Sequence, residues 1–469
     1  MKGICIYISI LFLLPLSSPA QKITYSALIK ESNSIDILGK VNGNILILKD
    51  QRSKYAIYIY QDEMVLKEKV TLDFINASEA YDVNFIIYPD FFYIVYQYQK
   101  KGVVYCMSVK MDGDANKMNE PVMLDTTNVG SLVNIKVYNV IASEDKQKIM
   151  VYKILREAAA INFITLLYDK NLQLIHPTSY LLDYDEYNNS FSDFHIDNEG
   201  NLIFTRSIKS TGGEDLERVD LITKGSLADT FSIKNIPLNN CYIDDMKIKV
   251  DNVNKHYLLN SFYYVQRQGN IEGIYSIIWD ARGDSSYASR ATPISDSIRK
   301  VARTSGVMKE AFNEYFINSI ILKKDGGYLL VAEDCSNNQV GSNTWHRHYS
   351  QSFFYLFYYN IFVCSISNKG IIEWSNIIPK KQSAYNFSSF NTFNSVEGIH
   401  FLYNTSEKRN FLIMDNVVSA DGKITRNPSL KSYDTGYDFM IRLAKKTGAR
   451  QLVVPCLYRG KVSFAKIDF

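Results

Sequence analysis

The sequence repeats one pattern, a polar turn followed by a short run that is apolar at nearly every position. In the clearest copy, residues 323–335 (KKDGGYLLVAEDC), a turn at Asp325-Gly326-Gly327 leads into such a run. Side chains alternate between the two faces of a strand, so a run of this kind must be covered on both sides. Comparable runs begin at Asn44, Phe92, Lys148, Asn201, Tyr257, Gly327, Ile399 and Gln451. Their spacing of 48 to 72 residues indicates an internal repeat.

Each run has strand-like neighbours, such as VNFIIYP before the run at Phe92 and VVYCMSV after it. The 34 tyrosines and 25 phenylalanines suit half-buried pleated surfaces, which favours β structure. The unit is therefore a meander of three or four strands. Meanders at this spacing, apolar on both faces, are typical of β-propeller blades, because each blade packs between two others. We predict an all-β propeller of eight blades, or of seven if two weak units merge.

A further strand-like segment, KITYSALIK at residues 22–30, precedes the first unit, and the last unit has only three strands before Phe469. We predict that residues 22–30 complete the last blade. Closing the ring in this way removes an exposed sheet edge. The prediction is a single propeller domain over residues 21–469.

The N-terminus has the layout of a secretory signal peptide. Lys2 precedes an apolar run from Ile4 to Leu16, and small residues end at Ala20, where we expect cleavage. No later run reaches the roughly 18–20 apolar residues of a membrane-spanning helix. We predict a signal peptide at residues 1–20 and a secreted or periplasmic protein, with association at the cell surface as a further option.

The distribution of charged residues bears on whether the partner is a nucleic acid. The 52 basic and 49 acidic residues are scattered, and no basic stripe alternates with aromatic residues as in a nucleic-acid surface. We therefore expect no nucleic-acid partner.

Beyond the predicted signal peptide lie five cysteines, an odd number: Cys106, Cys241, Cys335, Cys364 and Cys456. Cys106, Cys364 and Cys456 lie in apolar runs, where a buried inert thiol is expected.

Two segments, KKDGGYLLVAE (323–333) and YNIFVCSISNKGIIEWSNIIPK (359–380), carry a family resemblance. They resemble the propeller-type repeats of secreted Bacteroidota proteins, in which a D-G-G-Y strand leads to a D-x-x-V-x-K-x-x-x-x-G-x-x-x-W strand pair. The matching positions are Tyr328, Val363, Gly370 and Trp374. Asn360 and Ser365 replace the usual Asp and Lys. The resemblance covers one repeat unit; it implies the fold and export, and it identifies no catalytic residue.

An outer-membrane β-barrel is the alternative fold, because it shares the export signal, the aromatic strands and a C-terminal phenylalanine. Its strands need a polar face toward the lumen. Runs such as YLLVA and INFITLLY are apolar on both faces, which favours the propeller.

The longest gaps between runs mark two insertions. The first, residues 284–314, has helical spacing of apolar residues over about 295–312, with Ser295 as a candidate N-cap. Arg299 and Arg303 lie on its polar side. The segment is either a helix that lies over the propeller surface or a lid whose arginines meet an anionic ligand.

The second insertion, residues 334–353, concentrates aromatic and basic side chains on a loop, at Trp345, His346, Arg347, His348 and Tyr349. Exposed residues of these types on a rigid scaffold are typical contact residues. His346 and His348 could also face a metal together, with Glu333 or Asp334 as a third ligand. We predict partner contact here, with a plain surface loop or a metal site as alternatives, and we expect no resident metal or cofactor.

The sequence contains no catalytic signature motif, so its function is open. The leading hypothesis is a non-enzymatic exported propeller that binds a protein or glycan of the cell envelope, with both insertions at or near the binding face. The rival is a polysaccharide hydrolase or lyase with carboxylates near the central channel; two of them converging in an axial pocket would favour it. A metal-dependent enzyme is the third. His176, His195, His256 and His400 are interpreted as hydrogen-bonded structural residues.

Overall fold

The computed structural model describes residues 22–469 except 31–33, 51–53, 77–79, 131–135, 157–159, 184–188, 210–215, 268, 306–311, 313, 340–353, 383–387, 408–409 and 430–435. The predicted signal peptide, residues 1–20, lies outside the described residues. Within the described part of the chain, no helix is long and apolar enough to cross a membrane.

The strands form eight separate antiparallel sheets. Blade 1 consists of Ser34–Val41, Asn44–Asp50, Tyr55–Tyr60 and Leu66–Thr71, and blade 2 consists of Ala80–Ile87, Phe91–Lys100, Val103–Asp112 and Val122–Asn128. Blade 3 consists of Tyr138–Ala142, Lys148–Arg156, Ala160–Asp169 and Leu174–Asp183, and blade 4 consists of Asn189–Ile196, Leu202–Lys209, Leu216–Lys224 and Ser232–Ile236. Blade 5 consists of Lys247–Asp251, His256–Tyr263, Gly273–Asp280 and Ser285–Pro293, and blade 6 consists of Tyr315–Leu322, Tyr328–Gln339, Phe354–Ile366 and Ile372–Ile378. Blade 7 consists of Phe390–Asn394, Ile399–Glu407, Asn410–Val418 and Ile424–Arg426. Blade 8 consists of Asp438–Phe439 and Lys445–Gly448, separated by the 3-10 helix Ile441–Leu443, then Gln451–Tyr458, Lys461–Asp468 and the N-terminal segments Lys22–Tyr25 and Ile29–Lys30.

Within each blade the strands pair in chain order, and the first strands of neighbouring blades lie against one another. The first strands therefore surround the central axis, and the fourth strands form the rim. The first strand of blade 1 contacts Lys445–Gly448 of blade 8, so the ring is closed. The chain is an eight-bladed β-propeller, which confirms the predicted fold and blade number.

The N-terminal strand closes the ring as predicted. Lys22 is opposite Asp468 and Tyr25 is opposite Ala465, so Lys22–Tyr25 is the outermost strand of blade 8. Just beyond this strand, the Ser26 hydroxyl accepts a hydrogen bond from the Phe464 amide at 2.9 Å. The pairing covers an edge that would otherwise be exposed.

The predicted apolar strand YLLVA is the second strand of blade 6 and packs on both faces. Tyr328 is fully buried, and its hydroxyl donates to Asn260 Oδ1 in blade 5 at 2.8 Å. Leu330 packs toward blade 5, whereas Val331 packs with Phe401 of blade 7. The strand is thus covered by a blade on each side, which accounts for its composition.

The ring has two different faces. The turn face carries the tight turns between first and second strands and between third and fourth strands. The loop face carries the connections from one blade to the next and the links between second and third strands. Both insertions are connections of the loop face and are shorter than predicted. Ser285–Pro293 is the fourth strand of blade 5, and residues 294–314 connect it to blade 6; residues 340–353 connect Tyr328–Gln339 to Phe354–Ile366 within blade 6.

The first insertion contains the α-helix Asp296–Ser305. It begins directly after the predicted N-cap Ser295, whose carbonyl accepts the first helical hydrogen bond from the Arg299 amide at 3.1 Å. The helix thus lies within the predicted segment; residues 306–311 of that segment lie outside the described residues.

The five described cysteines are free thiols. Cys106, Cys364 and Cys456 are fully buried, as their apolar runs predict. Burial raises the pKa of the Cys106 and Cys456 thiols to about 12. Thiols with pKa values this high are protonated and unreactive at neutral pH.

Candidate functional site

The helix Asp296–Ser305 is fixed to the loop face by its apolar side. Ile298 and Ala302 are buried against the core between blades 5 and 6, together with Phe312. Asn360 of blade 6 donates its amide to the Ala302 carbonyl at 3.2 Å. The helix is therefore part of the packed ring surface and presents its opposite side to solvent.

The two predicted contact arginines have different surroundings. Arg299 donates through Nε to the Ile294 carbonyl at 3.2 Å and through Nη2 to the Glu272 carbonyl at 2.5 Å, and its guanidinium lies 5.7 Å from the centre of the Phe312 ring. These contacts leave the Arg299 side chain only 16% exposed. Arg303 is exposed, beside Val301 at 44% exposure. Arg299 therefore anchors the helix, whereas Arg303 is available to a partner.

The predicted contact residues Trp345, His346, Arg347, His348 and Tyr349 lie outside the described residues. The strands on either side of them, Tyr328–Gln339 and Phe354–Ile366, are 12 and 13 residues long, and both meet residues 340–353 at their loop-face ends. Within the described part of the chain, no group of three His, Cys, Asp or Glu side chains could hold a metal ion.

A buried ionic cluster lies where the long hairpin of blade 6 meets blade 7. Lys380 Nζ is 2.5 Å from Glu333 Oε1, and the two side chains are 0% and 3% exposed. Ser389 donates its hydroxyl to Glu333 Oε2 at 2.6 Å, and Lys380 also donates to Gln382 Oε1 at 2.9 Å. Burial lowers the pKa of Lys380. Glu333, suggested above as a metal ligand, is thus already paired with Lys380.

Asp334, the next residue, has a strongly perturbed carboxyl group. The strand has a β-bulge between Glu333 and Cys335, and Asp334 is 8% exposed. Burial, followed by the nearby Glu314 carboxylate, raises the pKa of Asp334 to about 7. Bulges are common beside functional sites, where they redirect a side chain. Here the bulge places a carboxyl in the interior at the base of the hairpin.

A separate cavity of about 310 Å³ lies near the axis at the turn face, between the first strands of blades 3, 4 and 5. Its polar lining is Glu144, His195, Lys249 and Asn252, and its apolar walls include Ile141 and Val250. We call this cavity the axial pocket. Its volume is at the small end of the usual range for ligand sites.

The axial pocket is assembled by equivalent turns of successive blades. The Asn252 carbonyl oxygen Oδ1 accepts the Asn198 amide at 2.8 Å, and Asn252 Nδ2 donates to Glu144 Oε2 at 2.8 Å. Asn198 Oδ1 in turn accepts the Asp145 amide at 3.2 Å. The repeat thus brings three turns, one from each blade, together at the mouth of the axial pocket.

A backbone irregularity places His195 in this pocket. The first strand of blade 4 has a register shift between Ser192 and His195, and Asp193 has φ of +58°. This left-handed conformation is uncommon for a residue other than glycine. The Asp193 carboxylate accepts the Ile248 amide of blade 5, which holds the distortion in place.

The interpretation of the isolated histidines as hydrogen-bonded residues agrees with the structure at two positions and differs at His195. His400 is buried between Asp415 and Ser395, and His176 contacts Asp229. His195 Nε2 is buried without a hydrogen bond, 3.5 Å from Asp193 Oδ1. A bulge is not visible in the sequence, so no signal there assigned His195 to the axial pocket.

Comparisons with known proteins assign no family and no function to this chain. No protein-family model and no curated protein match the chain. Among solved structures, the chain is similar to the WD40 domain of SCAP from fission yeast (10% identity, 96% of this chain and 98% of that chain, TM-score 0.45). It is also similar to Porphyromonas gingivalis dipeptidyl peptidase 4 (11%, 91% and 56%, 0.44), of which it spans about half, and to the polysaccharide lyase Uly1 (10%, 95% and 99%, 0.40). Similarities this low assign no function, and the resemblance to D-G-G-Y repeat proteins stays a prediction.

Proposed function

We propose that the protein is an exported, non-enzymatic propeller that binds a protein or glycan of the cell envelope through its loop face at blades 5 and 6. The observation that carries the proposal is the position of the two insertions. The helix Asp296–Ser305 and the long hairpin of blade 6 leave the ring on the same face and contact each other through Asn360 and Ala302. Export rests on the predicted signal peptide at residues 1–20.

The solvent-facing side of this region has the composition of a contact surface. Val301 is 44% exposed, Phe316 at the start of the first strand of blade 6 is 61% exposed, and Val265 in the adjoining link of blade 5 is 67% exposed. Arg303 adds an exposed positive charge. Aromatic and arginine side chains are enriched at protein interfaces, where they contribute much of the binding energy.

A polysaccharide-cleaving enzyme is the alternative. Among the described residues, Glu144 is the carboxylate that lines the axial pocket, whereas a glycosidase acid/base pair uses two. The buried carboxyls Glu333 and Asp334 lie at the base of the hairpin instead. The geometry of the described residues therefore favours partner binding.

The test uses two double variants of the mature chain with matched charge changes. The loop-face variant is Val301→Glu with Arg303→Glu; the control, on the turn face, is Val396→Glu with Lys369→Glu, since Val396 is 93% exposed and Lys369 is also exposed. Each protein is incubated with solubilised native envelope and, separately, with an array of envelope glycans. Captured proteins and bound glycans are then quantified.

We expect the wild type and the turn-face variant to retain the same protein or glycan, and the loop-face variant to lose at least about tenfold in affinity. Equal retention by all three proteins, or loss confined to the turn-face variant, would place the contact surface elsewhere and contradict the proposal.

A further inference from the structure

The axial pocket is independent of the loop face proposed for partner binding, since it opens among the turns on the opposite side of the ring. Its charged side chains differ in whether they have hydrogen-bond or ion-pair partners. Glu144 accepts a hydrogen bond from Asn252, whereas Lys249 has no ion-pair or hydrogen-bond partner among the described residues. His195 Nε2 has no hydrogen bond, but it is buried and lies 3.5 Å from Asp193 Oδ1. Lys249 is therefore the donor of the pocket that has unused capacity.

Lys249 differs in this respect from three other lysines on or beside innermost strands. Lys247, two residues earlier on the same strand, pairs with Asp245 at 3.0 Å. Lys445 pairs with Asp36 at 2.8 Å, and Lys136 pairs with Asp82 at 3.3 Å. Alternate residues of a strand point to the same side, so Lys247 and Lys249 share a face of the first strand of blade 5. Of this pair, Lys249 lines the axial pocket.

The backbone at the axial pocket is a second, independent observation. Asp193 adopts its left-handed conformation beside the pocket, and a conformation of this kind is unfavourable when the residue is not glycine. Such distortions persist where the surrounding structure enforces them, often at ligand sites. Here the distortion changes the register of His195 relative to the regular strand and places the imidazole at the cavity.

We propose that the axial pocket binds a small hydroxylated carboxylic acid about the size of one acidic monosaccharide. The ligand carboxylate accepts hydrogen bonds from the Lys249 ammonium, a suitable donor for an anionic oxygen, and the His195 ring forms part of the cavity wall. Glu144 Oε1, at the mouth, accepts a hydrogen bond from a ligand hydroxyl. Ile141 and Val250 pack against the carbon skeleton. The cavity volume of about 310 Å³ suits a ligand of that size.

The experiment measures binding by isothermal titration calorimetry of the mature protein with matched pairs of sugars. D-Galacturonate and D-glucuronate carry the carboxylate, and D-galactose and D-glucose replace it with a hydroxymethyl group. Butyrate, a carboxylate without hydroxyls, tests the contribution of Glu144. A galacturonate trimer tests whether the source is a free acid or the end of an acidic polymer, since a polymer end would bind at least as tightly as the monomer.

We expect at least one of the two sugar acids to bind with a Kd of about 1 mM or tighter, at least about tenfold tighter than its neutral counterpart and than butyrate. Lys249→Met should weaken binding about tenfold or more. Lys247→Met is the matched control and should bind as the wild type does. The thermal unfolding of each variant is measured beforehand, and Lys249→Gln replaces Lys249→Met if the latter is unfolded.

Three results would overturn the proposal. These are failure of both sugar acids to reach millimolar affinity, equal binding of acids and neutral sugars, and equal effects of Lys249→Met and Lys247→Met. None of these results affects the proposed function, because the loop-face variants leave the axial pocket unchanged and are measured separately.

Discussion

The turn face and the loop face hold neighbouring blades together in different ways. On the turn face, many short and partly exposed hydrogen bonds join one turn to the next, as in Asn376 Nδ2 to the Gly422 carbonyl and Trp374 Nε1 to the Ala420 carbonyl at 3.0 Å. On the loop face, a buried ionic cluster ties the second strand of blade 6 to the link into blade 7: Glu333 pairs with Lys380 and accepts a hydrogen bond from Ser389. Each hydrogen bond of the turn face contributes little to stability, but there are many of them. In the ionic cluster, a large effect on stability depends on a few buried groups.

This difference has a functional consequence. Short turns with internal hydrogen bonds, such as Asp197 Oδ1 with the Glu199 and Asn201 amides, leave little chain to vary and suit a stable frame. The loop face instead carries the helix Asp296–Ser305 and the long hairpin of blade 6. The buried Glu333–Lys380 cluster lies at the base of that hairpin.

Lys380→Met should have the largest effect on stability. Removal of the ammonium leaves the Glu333 carboxylate buried without its partner, and breaking a buried pair in this way costs about 3–5 kcal/mol. The free energy of unfolding, measured in urea at pH 7, should fall by that amount. In the double variant Glu333→Leu, Lys380→Met, both charges are absent, so most of the lost stability should return; a double variant as unstable as the single one would show that the ion pair itself stabilises the fold.

Asp334→Asn should stabilise the protein at neutral pH. Because burial and Glu314 raise the pKa of Asp334 to about 7, the folded protein binds this proton more tightly than the unfolded chain does. Folding is therefore disfavoured progressively as the pH rises from the ordinary value of 3.8 to about 7. The variant should exceed the wild type by on the order of 2 kcal/mol at pH 8, with the difference shrinking toward pH 4.

The control for Asp334 is Asp421→Asn on the turn face, where the exposed carboxyl has a pKa lowered by the Ser419 hydroxyl. It should give no stabilisation at pH 8. A gain in both variants would mean that the Asp334 effect does not arise from burial.

Asp62→Asn should weaken ring closure by a smaller amount. The Asp62 carboxylate contacts Lys40 at 2.7 Å and, in blade 8, Lys466 at 2.9 Å and Gln451 at 3.2 Å. The hydrogen bonds from Lys40 and Lys466 hold the pKa of Asp62 well below its ordinary value. Asp62 is 44% exposed, so solvent screening limits the loss at pH 7 to about 1 kcal/mol.

The pH dependence identifies the source of this effect. Because the folded protein binds the Asp62 proton more weakly than the unfolded chain does, the stabilisation is present above the ordinary pKa of 3.8 and is lost as the pH falls from there toward the folded value. The difference between wild type and Asp62→Asn should therefore decrease below pH 4. Asp73→Asn, which removes an exposed pair with Lys54, should have no measurable effect at either pH.

The smallest effect on stability is expected for the loop-face variant, Val301→Glu with Arg303→Glu. Both side chains are exposed, and surface changes of this kind are usually within about 0.5 kcal/mol. Thermal unfolding should match that of the wild type while partner binding is lost. A large fall in Tm would mean that these residues support the fold and would remove them as a test of binding.

The sequence was sufficient for the architecture, because the features that determine it are local or repeated. The turn at Asp325-Gly326-Gly327 and the buried run after it indicated a strand covered on both faces, and Tyr328 is such a residue. The unpaired strand at residues 22–30 indicated ring closure, since the last unit was one strand short. The helical spacing after Ser295 indicated the helix.

The sites were less predictable because they depend on contacts between blades. Glu333 and Lys380 are unremarkable charged residues in the sequence, and they are paired only because blade 6 brings its second strand close to the link that follows its fourth strand. His195 reaches the axial pocket through the bulge at Asp193. Arg299 was predicted from its position on the polar side of the helix, but the carbonyls of Ile294 and Glu272 lie within its reach.

The most direct test of the division between the two faces is a hydrogen-exchange footprint of the mature protein, with and without the envelope partner recovered by capture. We expect slower amide exchange on binding in the helix Asp296–Ser305 and at the loop-face ends of Tyr328–Gln339 and Phe354–Ile366, with no change in the turns around Asn198, Asn252 and Gly326. Protection of those turns, with the helix and hairpin unchanged, would contradict this division.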